Sequence, residues 1–124
     1  MRGPRIIFKT DRESSIGRGC VTHSGHFRPE MARVLHAAGT TAHGSWPEFV
    51  VSEGWRPKVR PTRDLHTEGR AWDLSLNHVP GVELERRMAG EAWADRMRKA
   101  LGPDYQVIVH GEGRNLHVHV ELDP

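Results

Sequence analysis

Two stretches of the chain carry apolar residues at the spacing of an amphipathic helix. The first begins at Pro29, which suits the first turn of a helix, and continues to Gly39. The second covers Val82–Leu101 and is stopped by the Gly-Pro pair that follows it. We expect the second helix to bury an apolar face made of Leu84, Met88, Trp93 or Ala92, Met97 and Leu101.

Shorter segments have the composition or the two-residue alternation of β-strands. They are Arg5–Lys9, Glu48–Trp55, Arg70–Leu76, Tyr105–His110 and Leu116–Leu122, the last two joined by a glycine-containing turn. The order of elements predicts a small α+β fold with a mostly antiparallel sheet and two main helices. A chain of 124 residues fits one domain, residues 1–124, in which the loop-rich residues 1–27 are peripheral.

Composition excludes several classes of protein. The net charge of +2 comes from basic residues scattered among acidic ones, so we expect no nucleic-acid partner. No apolar run approaches the roughly 20 residues of a membrane span, and the N-terminus lacks the apolar stretch of a signal peptide. We therefore expect a soluble protein made in the cytoplasm. With one cysteine, Cys20, any zinc site must use His, Asp or Glu.

Two segments carry the residues that zinc prefers. In the first, His66 and Asp73 are seven residues apart, and Gly69 between them permits a turn that would bring both to one point. In the second, His117 and His119 point to the same face of a strand because side chains alternate along it. Imidazole nitrogens and a carboxylate oxygen together suit a zinc ion.

These segments resemble the zinc DD-peptidase family, which shares its fold with the Hedgehog signalling domain. HTEGRAWD matches the pattern HxxGxAxD, the closing HVH matches HxH, SEGWRP is similar to Ser-Gly-Tyr-Arg-Ser, and YQVIVH is similar to the strand before HxH. The resemblance covers residues 48–124. It implies three zinc ligands, His66, Asp73 and His119, with a fourth position left open. It also implies that Arg56 binds a substrate carboxylate or the developing oxyanion.

One position departs from the family pattern. Many members have an acidic general base three residues before the last ligand, where this chain has Leu116. The proton carrier is then His117 or Glu112, with His110 as a third candidate. The resemblance thus implies a zinc metallopeptidase that cuts peptidoglycan stem or cross-bridge peptides.

The missing signal peptide and the small size favour a phage or prophage protein. Such a protein would be released at lysis or held in the virion beside other virion proteins. The rival hypothesis is a structural or binding module that keeps fold and zinc without catalysis, and Leu116 favours it.

Overall fold

The computed structural model describes residues 4–8, 29–53 and 70–123. Its elements follow the predicted order: β1 (Arg5–Phe8), α1 (Pro29–Thr41), β2 (Glu48–Glu53), β3 (Ala71–Ser75), α2 (Glu83–Leu101), β4 (Tyr105–His110) and β5 (His117–Leu122). A short 3-10 helix, Gly113–Asn115, lies in the turn between β4 and β5. The predicted α+β class is confirmed for this part of the chain.

The five strands form one sheet in the order β1-β2-β3-β5-β4. Strands β2, β3, β5 and β4 pair antiparallel, while β1 pairs parallel to β2. The sheet is therefore mostly antiparallel, as predicted, with one parallel edge strand. Strand β5 lies between β3 and β4, so its residues have a hydrogen-bonded neighbour on both sides.

One face of the sheet carries the hydrophobic core. Trp72 lies opposite Val120, and Leu74 lies opposite Val118, and all four are buried. Helices α1 and α2 supply the other half of the core, including Met31, Val34, Trp93 and Met97. The indole of Trp93 donates a hydrogen bond to the carbonyl of Ala38, at 3.1 Å, which joins the two helices.

Two of the five positions predicted for the apolar face of α2 are wrong. Trp93, Met97 and Leu101 are buried, but the side chains of Leu84 and Met88 are 66% and 63% exposed. The helix begins at Glu83 and ends at Leu101, where Gly102 donates its backbone N–H to Arg98. The buried stripe is completed by the small residues Gly90 and Ala94 instead. None of the described helices has the length and apolar character that a membrane-spanning helix needs.

An aromatic cluster surrounds His78, in the loop after β3. Its ring meets that of Trp46 edge to face at 4.5 Å between centroids, and Trp93 lies 6.2 Å away. Both ring nitrogens are buried and make no hydrogen bond within the described residues. Burial lowers the pKa of His78 below 6.5, and the nearby backbone of Ser75 and the charge of Glu48 offset this only in part.

Candidate metal site

The candidate site lies on the face of the sheet opposite the core. Because Trp72 and Leu74 point into the core, Asp73 between them must point the other way. The same alternation places His117 and His119 on that face, since Val118 and Val120 are buried in the core. Asp73 and the two histidines thus share one face of the neighbouring strands β3 and β5.

The strand register brings the predicted residues together. Asp73 is the direct cross-strand partner of His119, and Ser75 is the partner of His117. Directly opposite side chains in an antiparallel pair are about 4.5–5.5 Å apart at Cβ, within reach of each other's polar atoms. Asp73, His117 and His119 each offer one ligand atom, and these atoms all lie within 4.8 Å of one another.

His119 is held between two carboxylates. Its Nδ1 lies 2.7 Å from Oδ1 of Asp73, and its Nε2 lies 3.0 Å from Oε1 of Glu121. A carboxylate only accepts hydrogen bonds, so each ring nitrogen donates one. Burial by itself lowers the pKa of His119, but the hydrogen bonds and charges of Asp73 and Glu121 outweigh it and raise the pKa above 6.5. A metal ion must therefore displace a proton from this ring.

His117 has a different protonation pattern. Its Nδ1 lies 2.6 Å from the backbone carbonyl of Asn115, which can only accept, so Nδ1 carries the proton. Its Nε2 faces Asp73, with 3.7 Å between that nitrogen and Oδ1. The side chains of His117 and Asp73 are each 12% exposed, so they are largely shielded from water. In the tautomer that the contact with Asn115 favours, the Nε2 lone pair faces Asp73 and can accept a metal ion or a proton.

The turn that supplies the Asn115 carbonyl is fixed by α2. Glu83 accepts the backbone N–H of Gly113 at 2.6 Å, and Arg86 donates to the Gly113 carbonyl at 3.3 Å. Arg87 donates to the carbonyl of Gly111 at 2.8 Å. These side chains occupy the first turns of α2 and hold the loop between β4 and β5. The orientation of His117 thus depends on a helix from the opposite face of the sheet.

The other residues predicted for the site are either outside the described residues or not part of the candidate metal-binding group. Arg56 and His66 lie outside the described residues, so their roles stay predictions. Glu112 is exposed, and its side chain makes no hydrogen bond or ion pair within the described segments. His110 is the cross-strand partner of His117, with 5.6 Å between ring centroids. Leu116 is fully buried in the core.

Glu121 was not among the residues predicted for the site. The signal was the strand alternation itself, because Glu121 is two residues beyond His119 and so shares its face.

The donor set fits a zinc ion or a similar divalent cation. Two imidazoles and one carboxylate are ligand types that zinc takes in open catalytic sites. The negative charges of Asp73 and Glu121 exceed the single positive charge of a protonated His119, so the cluster as described favours a cation. Asp73, His117 and His119 therefore form a group that could hold a metal ion.

Comparisons with known proteins add little to this geometry. No protein-family model matches the chain. A biotin synthase of Rippkaea orientalis is 31% identical over 97 residues, an alignment that covers 72% of this chain. The alignment covers 23% of the length of that enzyme.

Proposed function

We propose that this chain is a zinc-dependent peptidase that hydrolyses stem or cross-bridge peptides of bacterial peptidoglycan, encoded by a phage or prophage. The observation that carries the proposal is the meeting of Asp73, His117 and His119 within 4.8 Å on one face of the sheet. These residues belong to the two sequence segments that resemble the zinc DD-peptidases. A chance resemblance would not require β3, which carries Asp73, to pair with β5 in a register that places Asp73 opposite His119.

Zinc would be held by His66, Asp73 and His119, the ligands that the resemblance implies. When bound, it would polarise the scissile carbonyl and lower the pKa of a water molecule. Arg56 would neutralise the carboxylate of the substrate or the charge that develops on the carbonyl oxygen. The Hedgehog-like fold is part of the same proposal and is supported by the mixed five-stranded sheet with two helices.

His117 is the proton carrier in this proposal. Its Nδ1 proton is engaged by the Asn115 carbonyl, so Nε2 would be the nitrogen that accepts a proton from the attacking water and then passes it to the leaving amine. The position of Nε2 beside Asp73 puts it at the metal site without requiring it to be a ligand. Glu112 is a weaker candidate because its side chain is exposed in the turn. His110 lies beside His117 and could exchange protons with it through solvent.

Digestion of purified peptidoglycan tests the function. The zinc-loaded protein should release peptide fragments whose masses identify the bond that is cut, and a new terminus distinguishes a carboxypeptidase from an endopeptidase. Asp73→Ala should release none, while Glu91→Gln, an exposed change on α2, should act like the parent. If the parent carries stoichiometric zinc and releases no fragment from several peptidoglycan types, the peptidase proposal fails.

A second candidate is a zinc-binding structural module without catalysis. It is favoured by Leu116, which is fully buried at the position where many DD-peptidases have their general base. No carboxylate can act from that position. This candidate predicts zinc-loaded protein that binds peptidoglycan in a sedimentation assay and leaves its peptides intact. We do not propose biotin synthase activity, because the matched segment covers 23% of that enzyme.

A further inference from the structure

Glu121 is placed where it can control the last metal ligand. It follows His119 by two residues on β5, so both side chains lie on the same face. Its Oε1 lies 3.0 Å from Nε2 of His119, and the Glu121 side chain is 20% exposed. Within the described residues, His119 is the only ion-pair partner of Glu121. The carboxylate therefore does not serve a separate ion pair with a lysine or arginine there.

The two nitrogens of His119 have separate partners. Nδ1 faces Asp73, which is a proposed ligand of the metal. Nε2 faces Glu121 on the other side of the ring. If a cation displaces the proton of Nδ1, that proton passes to solvent, and Nε2 keeps its own proton and its acceptor, Glu121. A carboxylate on the far nitrogen fixes the tautomer and orientation of a ligating histidine and makes the ligand more basic.

We propose that Glu121 is a positioning residue of the metal site, whose carboxylate holds the His119 ring so that Nδ1 is presented to the metal beside Asp73. The proposal rests on the metal site of the proposed function and adds a residue to it. Glu121 does not touch the metal or the substrate in this arrangement. Its effect passes through the orientation of the ring and through the negative charge it adds to the site.

Zinc affinity tests the proposal without requiring activity. The dissociation constant is measured by competition with a chromogenic chelator for the parent, Glu121→Ala, Glu121→Gln and the charge-matched control Glu91→Gln. Loss of such an outer carboxylate typically weakens metal binding about 10–100-fold, which we expect for Glu121→Ala. Glu121→Gln should bind more tightly than Glu121→Ala, because an amide oxygen still accepts the Nε2 proton without the charge. Glu91→Gln should match the parent.

A second readout separates positioning from folding. The visible absorption of the cobalt-substituted protein reports ligand geometry, and it should change in Glu121→Ala more than in Glu121→Gln. Glu121→Gln is isosteric, so it keeps the test available if the alanine variant does not fold.

The outcomes distinguish the two proposals. If the parent binds zinc, Asp73→Ala abolishes binding and both Glu121 variants keep the parental affinity and cobalt spectrum, the role of Glu121 is refuted and the metal site stands. If the parent binds no zinc, the metal site fails and the role of Glu121 fails with it.

Discussion

Gly111 couples the shape of the β4–β5 turn to the protonation of His117. Its φ is +84°, a region that L-residues rarely adopt, and a Cβ at this position would meet the backbone carbonyl of Asn115. That same carbonyl accepts the Nδ1 proton of His117 at 2.6 Å. Gly111→Ala should therefore destabilise the fold and also displace the acceptor that sets the tautomer of His117.

Gly102 provides a control for backbone strain alone. Its φ is +89°, close to that of Gly111, but an added Cβ would meet nothing within 4 Å. Strain of this kind costs about 1–3 kcal/mol, which is the loss of unfolding free energy expected for Gly102→Ala. Forcing an extra methyl into a filled space adds about 1–3 kcal/mol. Gly111→Ala should lose the sum of the two.

Urea denaturation of the metal-free proteins measures this difference directly. We expect Gly111→Ala to be less stable than Gly102→Ala by about 1–3 kcal/mol, or roughly 3–10 °C in melting temperature. The ring nitrogens of His117, followed by nitrogen-15 NMR, should show loss of the Nδ1–H form in Gly111→Ala only. Equal stability of the two variants, with an unchanged His117 tautomer, would refute the link between this glycine and the site.

Two further predictions concern pH and metal. The lowered pKa of His78 means that its neutral form stabilises the fold above about pH 6.5 and that this stability is lost as pH falls through the lowered pKa. His78→Phe should keep the contact with Trp46 and raise the melting temperature. The melting temperature of this variant should also fall less between pH 7 and pH 5 than that of the parent, and an equal fall in the two proteins would contradict the prediction. If zinc binds the folded chain at the proposed site, adding a chelator to zinc-loaded protein should lower the melting temperature by several degrees. An unchanged transition would contradict a site that joins β3 to β5.

Local signals in the sequence were sufficient to predict the position of most helices and strands. Pro29 marks the start of α1, Gly102 follows the end of α2, and alternation locates β3 and β5 within one or two residues. These features act through nearest neighbours along the chain. The parallel pairing of β1 with β2 has no such signal, because it depends on how distant strands are arranged.

The face of α2 shows the limit of periodicity. Leu84 and Met88 are four residues apart and suggest a buried stripe, yet both are exposed. A step of three residues from Met88 leads to Glu91, and a further step of four leads to Asp95, and both are polar and exposed. The stripe through Trp93 instead continues with apolar residues to the end of the helix, and it is the one that meets the sheet.

Most residues of the candidate site could be predicted from the sequence, but their positions relative to one another across the two strands could not. Alternation placed the two histidines of β5 on one face, and the resemblance suggested that Asp73 would join them. Only the register of β3 against β5 makes Asp73 the partner of His119, and register is a tertiary property. Glu121 was open to the same alternation argument as the histidines and was missed for lack of a motif that includes it.

The central claim is that His66, Asp73 and His119 hold one zinc ion, and the zinc content of alanine variants tests it most directly. Asp73 and His119 are in contact, whereas either His66 or His117 could complete the set. Zinc per folded chain should be measured by elemental analysis after dialysis, in the parent and in the alanine variants of these four residues. We predict one zinc in the parent and in His117→Ala, and none in the variants of Asp73, His119 and His66. Full zinc in His119→Ala would contradict the site, and full zinc in His66→Ala with none in His117→Ala would make His117 the ligand.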